Sequence, residues 1–116
     1  MTDIIRIEPG PRMSQAVIHG GVAHLAGQVG APGAPVAEQT RAVLAEVDRL
    51  LQLCGTSKAR VLTAQVWLAD MKSFGEMNAV WDAWVDRENP PARWTGEARL
   101  ATPDYLVEII VTAALP

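Results

Sequence analysis

Only two stretches of this chain space their apolar residues like a helix, and elsewhere the apolar pattern alternates. In the first, Val36, Thr40, Val43, Leu44, Val47, Leu50, Leu51 and Cys54 predict one buried stripe, which Gly55 stops in the left-handed conformation. In the second, Met77, Val80, Trp81, Trp84 and Val85 form the stripe. Ser73-x-x-Glu76 reads as a capping box at its start, and Asn89-Pro90-Pro91 ends it. Strands are predicted over 4–8, 15–19, 22–28, 61–69, 92–100 and 105–114. Gly20-Gly21 between the second and third marks a tight hairpin, because both turn positions need positive φ. Within 61–69 the expected inward face is Leu62, Ala64, Val66 and Leu68. This order predicts an α+β fold, a mixed sheet with two helices on one face, as a single domain over 1–116. No third helix remains for the other face, so subunit association is its expected cover.

Composition narrows the function. The formal net charge is −3 with only 10 Lys and Arg and no basic run, which argues against a nucleic-acid partner. The longest apolar runs, about ten residues, are too short to cross a bilayer. The segment MTDIIRIEPG has no long apolar core of the secretory type. A lone cysteine, Cys54, forms no internal disulfide and lies on the predicted buried stripe, so packing is its expected role. A cytoplasmic location is expected. His19 and His24 lack further metal-ligand residues at useful spacing, so no metal site is expected.

The last two strands hold the candidate chemistry. Arg93, Thr95, Glu97 and Arg99 share one face by the period of two, as do Leu106, Glu108, Ile110 and Thr112. Pairing the two strands as a hairpin, with Leu100 opposite Tyr105, would set Arg93 opposite Thr112 and Glu97 opposite Glu108, all toward one side. Glu108 interrupts an otherwise apolar run. A carboxylate there either forms an ion pair, with Arg99 or Arg93, or is free to take up and release a proton. Arg93 follows Pro90-Pro91-Ala92 where a loop opens; its guanidinium offers a planar fork matched to a carboxylate, or is simply solvated. Asn78 on the second helix could orient a neighbouring group through its amide.

Several stretches, in order and spacing, resemble the Rid/YjgF (reactive intermediate deaminase) family: Ser14-Gln15-Ala16-Val17, Leu25-Ala26-Gly27-Gln28 and Val66-Trp67-Leu68-Ala69-Asp70. They continue with Phe74-x-x-Met77-Asn78-x-x-Trp81-x-x-Trp84, Pro91-Ala92-Arg93 and Tyr105-Leu106-Val107-Glu108-Ile109. The tail from Trp67 onward looks especially like the YoaB-type branch. The resemblance implies a chorismate-mutase-like fold and a homotrimer, its three sheets lining a barrel with clefts between subunits. It implies hydrolysis of imines and enamines such as 2-iminobutyrate and 2-aminoacrylate to 2-keto acids and ammonia, without cofactor or metal. Arg93 falls on the family's carboxylate-binding arginine, Glu108 on the carboxylate near the attacking water, and Asn78 on a cleft asparagine. Met13, Ala26 and Thr95 stand where the better-known deaminases carry tyrosine, serine and cysteine, which implies a more apolar pocket. Non-catalytic binding of a 2-keto acid in the same cleft is the alternative expectation.

Overall fold

The computed structural model describes residues 3–116. Six strands form one sheet: β1 (Ile5–Pro9), β2 (Ser14–His19), β3 (Val22–Leu25), β4 (Val61–Leu68), β5 (Ala92–Glu97) and β6 (Val107–Ala114), in spatial order β1-β2-β3-β6-β4-β5. Two helices, α1 (Val36–Leu53) and α2 (Phe74–Trp84), pack on one face. The α+β architecture expected from the periodicities is therefore present. Gly20 and Gly21 take φ of 60° and 80° in the β2–β3 turn, the conformation that selects glycine there.

The inward face of the sheet reads Ala16, Ile18, Ala23, Leu25, Ala64, Val66, Leu68, Val107, Ile109, Val111 and Ala113, all buried. It meets the α1 stripe of Val43, Leu44, Val47, Leu50 and Leu51, and Met77, Val80 and Trp81 of α2. Strand alternation and helical period thus converge on one core. The expected inward set of β4 is wrong at one place. A register shift between Val61 and Thr63 turns Leu62 outward, 46% exposed, and buries Val61 instead.

The largest correction concerns the C-terminal strands, which do not form a hairpin. β5 runs parallel beside β4, and β6 lies antiparallel between β3 and β4. The cause is α2. A helix placed between β4 and β5 returns the chain to the same end of the sheet, so the two strands run in the same direction. The stretch 98–106 then carries the chain past the end of β4 to the far side of that strand. Glu97 consequently lies opposite Leu68 rather than Glu108, and its Oε2 accepts from the Met71 backbone N–H at 3.0 Å.

The Ser73-x-x-Glu76 capping box does not form either. Ser73 makes no side-chain cap; a 3-10 turn at Met71–Ser73 precedes α2, and the Asp70 carboxylate caps that turn by accepting from Lys72 N–H at 2.9 Å. Glu76 instead accepts from the Ala37 N–H at 2.9 Å, stitching α2 to the first turn of α1. Val85 falls just beyond α2, in extended conformation.

Gln39, fully buried on α1, holds the 98–106 crossover in place. Its Nε2 donates to the Ala34 and Asp104 carbonyls at 3.0 and 2.8 Å, and its Oε1 accepts from Leu106 N–H at 2.8 Å. Replacing it with an apolar residue leaves the Ala34 carbonyl and the Leu106 N–H without this partner, while the Asp104 carbonyl keeps the Gly33 N–H at 2.9 Å. Gln39→Leu is expected to cost about 3 kcal/mol, on the scale of one to three per unpaired buried group. Urea unfolding at fixed protein concentration checks this.

Candidate functional site

Arg93 enters from the start of β5, opposite Ala64, and so points to the helix-covered face. Its guanidinium carbon sits 5.0 Å from the centroid of the Trp81 ring and 5.9 Å from that of Phe74. Its Nη1 approaches the Met77 sulfur at 3.9 Å. The two rings lie against the guanidinium, one N–H makes a long contact with the Met77 sulfur, and no carboxylate among the described residues forms a salt bridge with it, so N–H donors remain for a planar anion. Burial pulls the Arg93 guanidinium below the ordinary arginine range, and the Asp82 charge opposes that shift. The group remains cationic. Among the described residues the salt bridges are those of Arg49 with Glu8 and with Glu46, so neither Arg93 nor Glu108 is in one. Arg93 is thus a half-buried cation without a carboxylate.

Thr95 follows on the same face of β5, opposite Val66, and its buried hydroxyl has no hydrogen-bond partner among the described residues. Asn78 lies one turn after Phe74 on α2, half-buried, next to the Met77 that touches Arg93. Arg93, Thr95 and Asn78 therefore gather at the junction of β5 and α2.

Glu108 lies elsewhere. It is opposite Trp67 on β6, between the buried Val107 and Ile109, and so projects from the open face of the sheet. The expected shared face with Arg93 and Glu97 is overturned by the parallel pairing of β5. From the β4 register, Arg93 and Glu108 are separated by three residues along the strand and by two strand spacings across, roughly 10 Å in each direction, and they face opposite sides. The ion pairs of Glu108 with Arg93 or Arg99 do not form in this chain.

The Glu108 carboxylate is seated against a glycine. A Cβ built on Gly27 would fall 2.5 Å from Glu108 Oε2 and 3.2 Å from Cγ1 of Ile110. Gly27 is held there by its neighbours: Gln28 exchanges backbone hydrogen bonds with Ile109, and Ala26 N–H donates to the Gln15 carbonyl at 2.9 Å. Gln28 Nε2 also donates to Gln15 Oε1 at 3.0 Å and to the Ala26 carbonyl at 3.1 Å. Ala26 thus adjoins Glu108 through Gly27. Met13, 47% exposed, stands two residues before Gln15 at the same end of the sheet. Of the six expected site residues, Arg93 and Thr95 lie on the helix-covered face of β5 and Asn78 on α2 beside Met77, whereas Glu108 projects from the open face against Gly27, with Ala26 next to that glycine in sequence and Met13 near the start of β2.

Sequence reasoning passed over Gly27, Phe74 and Trp81 as functional neighbours. Gly27 carried a signal, standing between Ala26 and Gln28 in one of the quoted motifs. The arginine's two aromatic neighbours became visible only once β5 was seen to lie beside α2. The groove between α1 and α2, about 470 Å³ and lined by residues such as Ala37, Ala45, Ala79, Ala83 and Trp84, holds neither cluster. Among the described residues no three His, Cys, Asp or Glu side chains form a metal-holding group, and no helix is long and apolar enough to cross a membrane.

These features define a small α+β domain that presents a half-buried, unpaired arginine on one face of its sheet and a glycine-seated carboxylate on the other. The family model described as endoribonuclease L-PSP matches residues 4–115, and the chain belongs to that family, whose members are also called RutC, YjgF or Rid proteins. A RutC family protein of Haemophilus influenzae is 46% identical over 114 residues, covering 95% of this chain and 97% of the relative. The RutC family protein YoaB of Escherichia coli is 39% identical, covering 97% and 98%. A crystal structure of a YjgF family member from Neisseria meningitidis superposes with a TM-score of 0.96 at 48% identity, covering 98% of this chain and 96% of that one.

Two substitutions probe these clusters structurally. Thr95→Val removes a buried hydroxyl that has no partner among the described residues and breaks no hydrogen bond, so it is expected to stabilise the protein by about 1 kcal/mol; denaturation of the purified protein measures it. Gly27→Ala is expected to fold but to swing the Glu108 carboxylate away from its seat, which a crystal structure of the variant would show.

Proposed function

We propose that copies of this chain associate as a trimer, and that each cleft between neighbours hydrolyses a small imine or enamine bearing a carboxylate, giving a 2-keto acid and ammonia. The observation that carries this reading is the division of the site. Arg93 lacks a carboxylate and Glu108 lacks a cation, and they lie on opposite faces of one sheet. A second copy laid on the open face can bring its own arginine cluster to Glu108, which one chain cannot do.

In that cleft the substrate carboxylate pairs with the free N–H edges of Arg93, and the gain is chiefly positional. Thr95 and Asn78, beside Arg93, orient the imine end. An enamine such as 2-aminoacrylate first takes a proton at its terminal carbon and gives one up from nitrogen, which makes it the imine. Water then adds its oxygen to the imine carbon and gives up a proton, which Glu108 accepts directly or through a second water. Glu108 passes that proton to nitrogen, the hydroxyl's remaining proton follows to nitrogen as its oxygen forms the C=O bond, and the C–N bond breaks to release ammonia. The reading invokes no cofactor or metal. Met13 and Ala26 supply no side-chain hydroxyl beside Glu108. That favours, as the second reading, retention of a 2-keto acid without turnover. Ribonuclease action, the activity in the family model's description, has less support here, because a net charge of −3 and no basic run give no surface that tracks phosphates.

An enzyme that releases 2-iminobutyrate or 2-aminoacrylate, coupled to this protein, gives a direct assay of imine decay. Arg93→Ala and Glu108→Gln are each expected to lower the acceleration by about a hundredfold, the scale of a lost positioning or proton-transfer group. Refolding the two variants together in equal amounts should restore about one quarter of wild-type activity, since one random pairing in four reunites an intact arginine with an intact carboxylate. No recovery would place both groups in one chain's site. Saturable binding without acceleration would favour the second reading.

A further inference from the structure

We infer, on the basis of the proposed function, that Phe74 is a specificity-determining residue that favours imines with a sizeable apolar side chain over small ones. Of the three side chains touching the Arg93 guanidinium, Met77 is fully buried and Trp81 is 6% exposed, whereas Phe74 is 40% exposed. Phe74 alone among them presents surface to a molecule arriving from outside. An anion paired with Arg93 therefore arrives beside that ring.

The ring sits at the first residue of α2 and leans toward the helix start, where no earlier turn of α2 lies beneath it, and Asn78 lies one turn further along the same helix. A 2-imino acid has its carboxylate and imine on adjacent carbons, and its side chain departs from the imine carbon. With the carboxylate on Arg93 and the polar end toward Asn78, the side chain rests on Phe74. Met71, 38% exposed, lies three residues before Phe74 and extends the apolar surface. A methyl side chain covers little of it. A branched or aromatic one covers much more, and buried apolar area translates into discrimination.

The test compares imines generated by an amino-acid oxidase from phenylalanine, leucine and alanine, using the full-length protein and its Phe74→Ala and Phe74→Leu variants. The wild type should show a higher kcat/KM for the leucine- and phenylalanine-derived imines than for the alanine-derived one. Phe74→Ala should lower that ratio about tenfold, the scale of small apolar contacts in a pocket. Phe74→Leu should keep most of the preference for the leucine-derived imine. A ratio is the proper readout, because partial misfolding or a weakened Arg93 would depress all rates together and leave it unchanged. An unchanged ratio in Phe74→Ala overturns the inference while leaving the proposed hydrolysis intact. If the wild type accelerates no imine, the hydrolysis fails, and the inference is then judged by binding of 4-methyl-2-oxopentanoate against pyruvate, followed by NMR. A preference for the larger keto acid that Phe74→Ala removes supports it. Equal affinities, or no binding of either, overturn it.

Discussion

Because α2 lies between β4 and β5, those strands run parallel, and the placement of Arg93 follows from that single constraint. A helix packed on the sheet has to deliver the chain back to the end where β4 began, and the only open position beside β4 is the sheet edge. β5 takes it, at the register that sets Arg93 opposite Ala64. Alanine leaves room on the helix side of the sheet, and α2 fills the space above with Met77 and Trp81. The arginine is thereby lodged between a strand and a helix that are consecutive in sequence. A local unit of chain builds the surroundings of Arg93, and β6, though next in sequence, takes no part in them.

The guanidinium's surroundings decide what it can be for. Stacking on aromatic rings contributes roughly 0.5–2 kcal/mol per contact and rises as water is excluded. A carboxylate pair with the same group is stronger and directional, because two parallel N–H donors match two oxygens. Protein groups supply the first kind of contact to Arg93 and none of the second, although Asp82 is near enough to influence its charge. Partial burial costs such a cation hydration that the rings only partly replace. An acidic ligand, as in the proposed function, would supply what is missing. The same reasoning applies in milder form to Thr95, whose hydroxyl is buried without a partner on the same face of β5.

Much of this architecture is legible in the residues, and what is not has identifiable causes. Both helices, the Gly20-Gly21 turn and the existence of every strand follow from period and turn chemistry, which are local. The partner of β5 does not, because a period of two says which residues share a face and nothing about which strand lies alongside. That gap is why the period of two sets Arg93 and Glu108 together: it finds both strands, though β5 ends at Glu97 and β6 begins at Val107, so Arg99 and Leu106 lie outside them, and it leaves the pairing between the strands an assumption. Leu62 shows the same limit in miniature, since one register shift reverses the face of a residue whose alternation looked regular. At Ser73 and Glu76 the local pattern was real, but Asp70 and the Ala37 N–H offered competing partners and won. The family resemblance rested on order and spacing, and these survive any error in pairing.

The separation of the two clusters bears on assembly as well as chemistry. The open face carries Glu108 together with Thr63 and Thr112, whose hydroxyls hydrogen-bond each other at 2.6 Å, and with Trp67, packed so closely over Gly96 that a Cβ there would lie 2.7 Å from its ring. Such a face is neither greasy enough to demand burial nor charged enough to remain free in water. Self-paired hydroxyls and a ring laid flat along the sheet prepare it for a surface of similar character, such as another copy of itself. Before any partner arrives, Gly27 leaves room for the carboxylate beside it, and the rings of Phe74 and Trp81 flank the arginine. Under the proposed association, copies would bring these two halves together, and a ligand bridging them would tighten the contact between copies as well as fill the cleft.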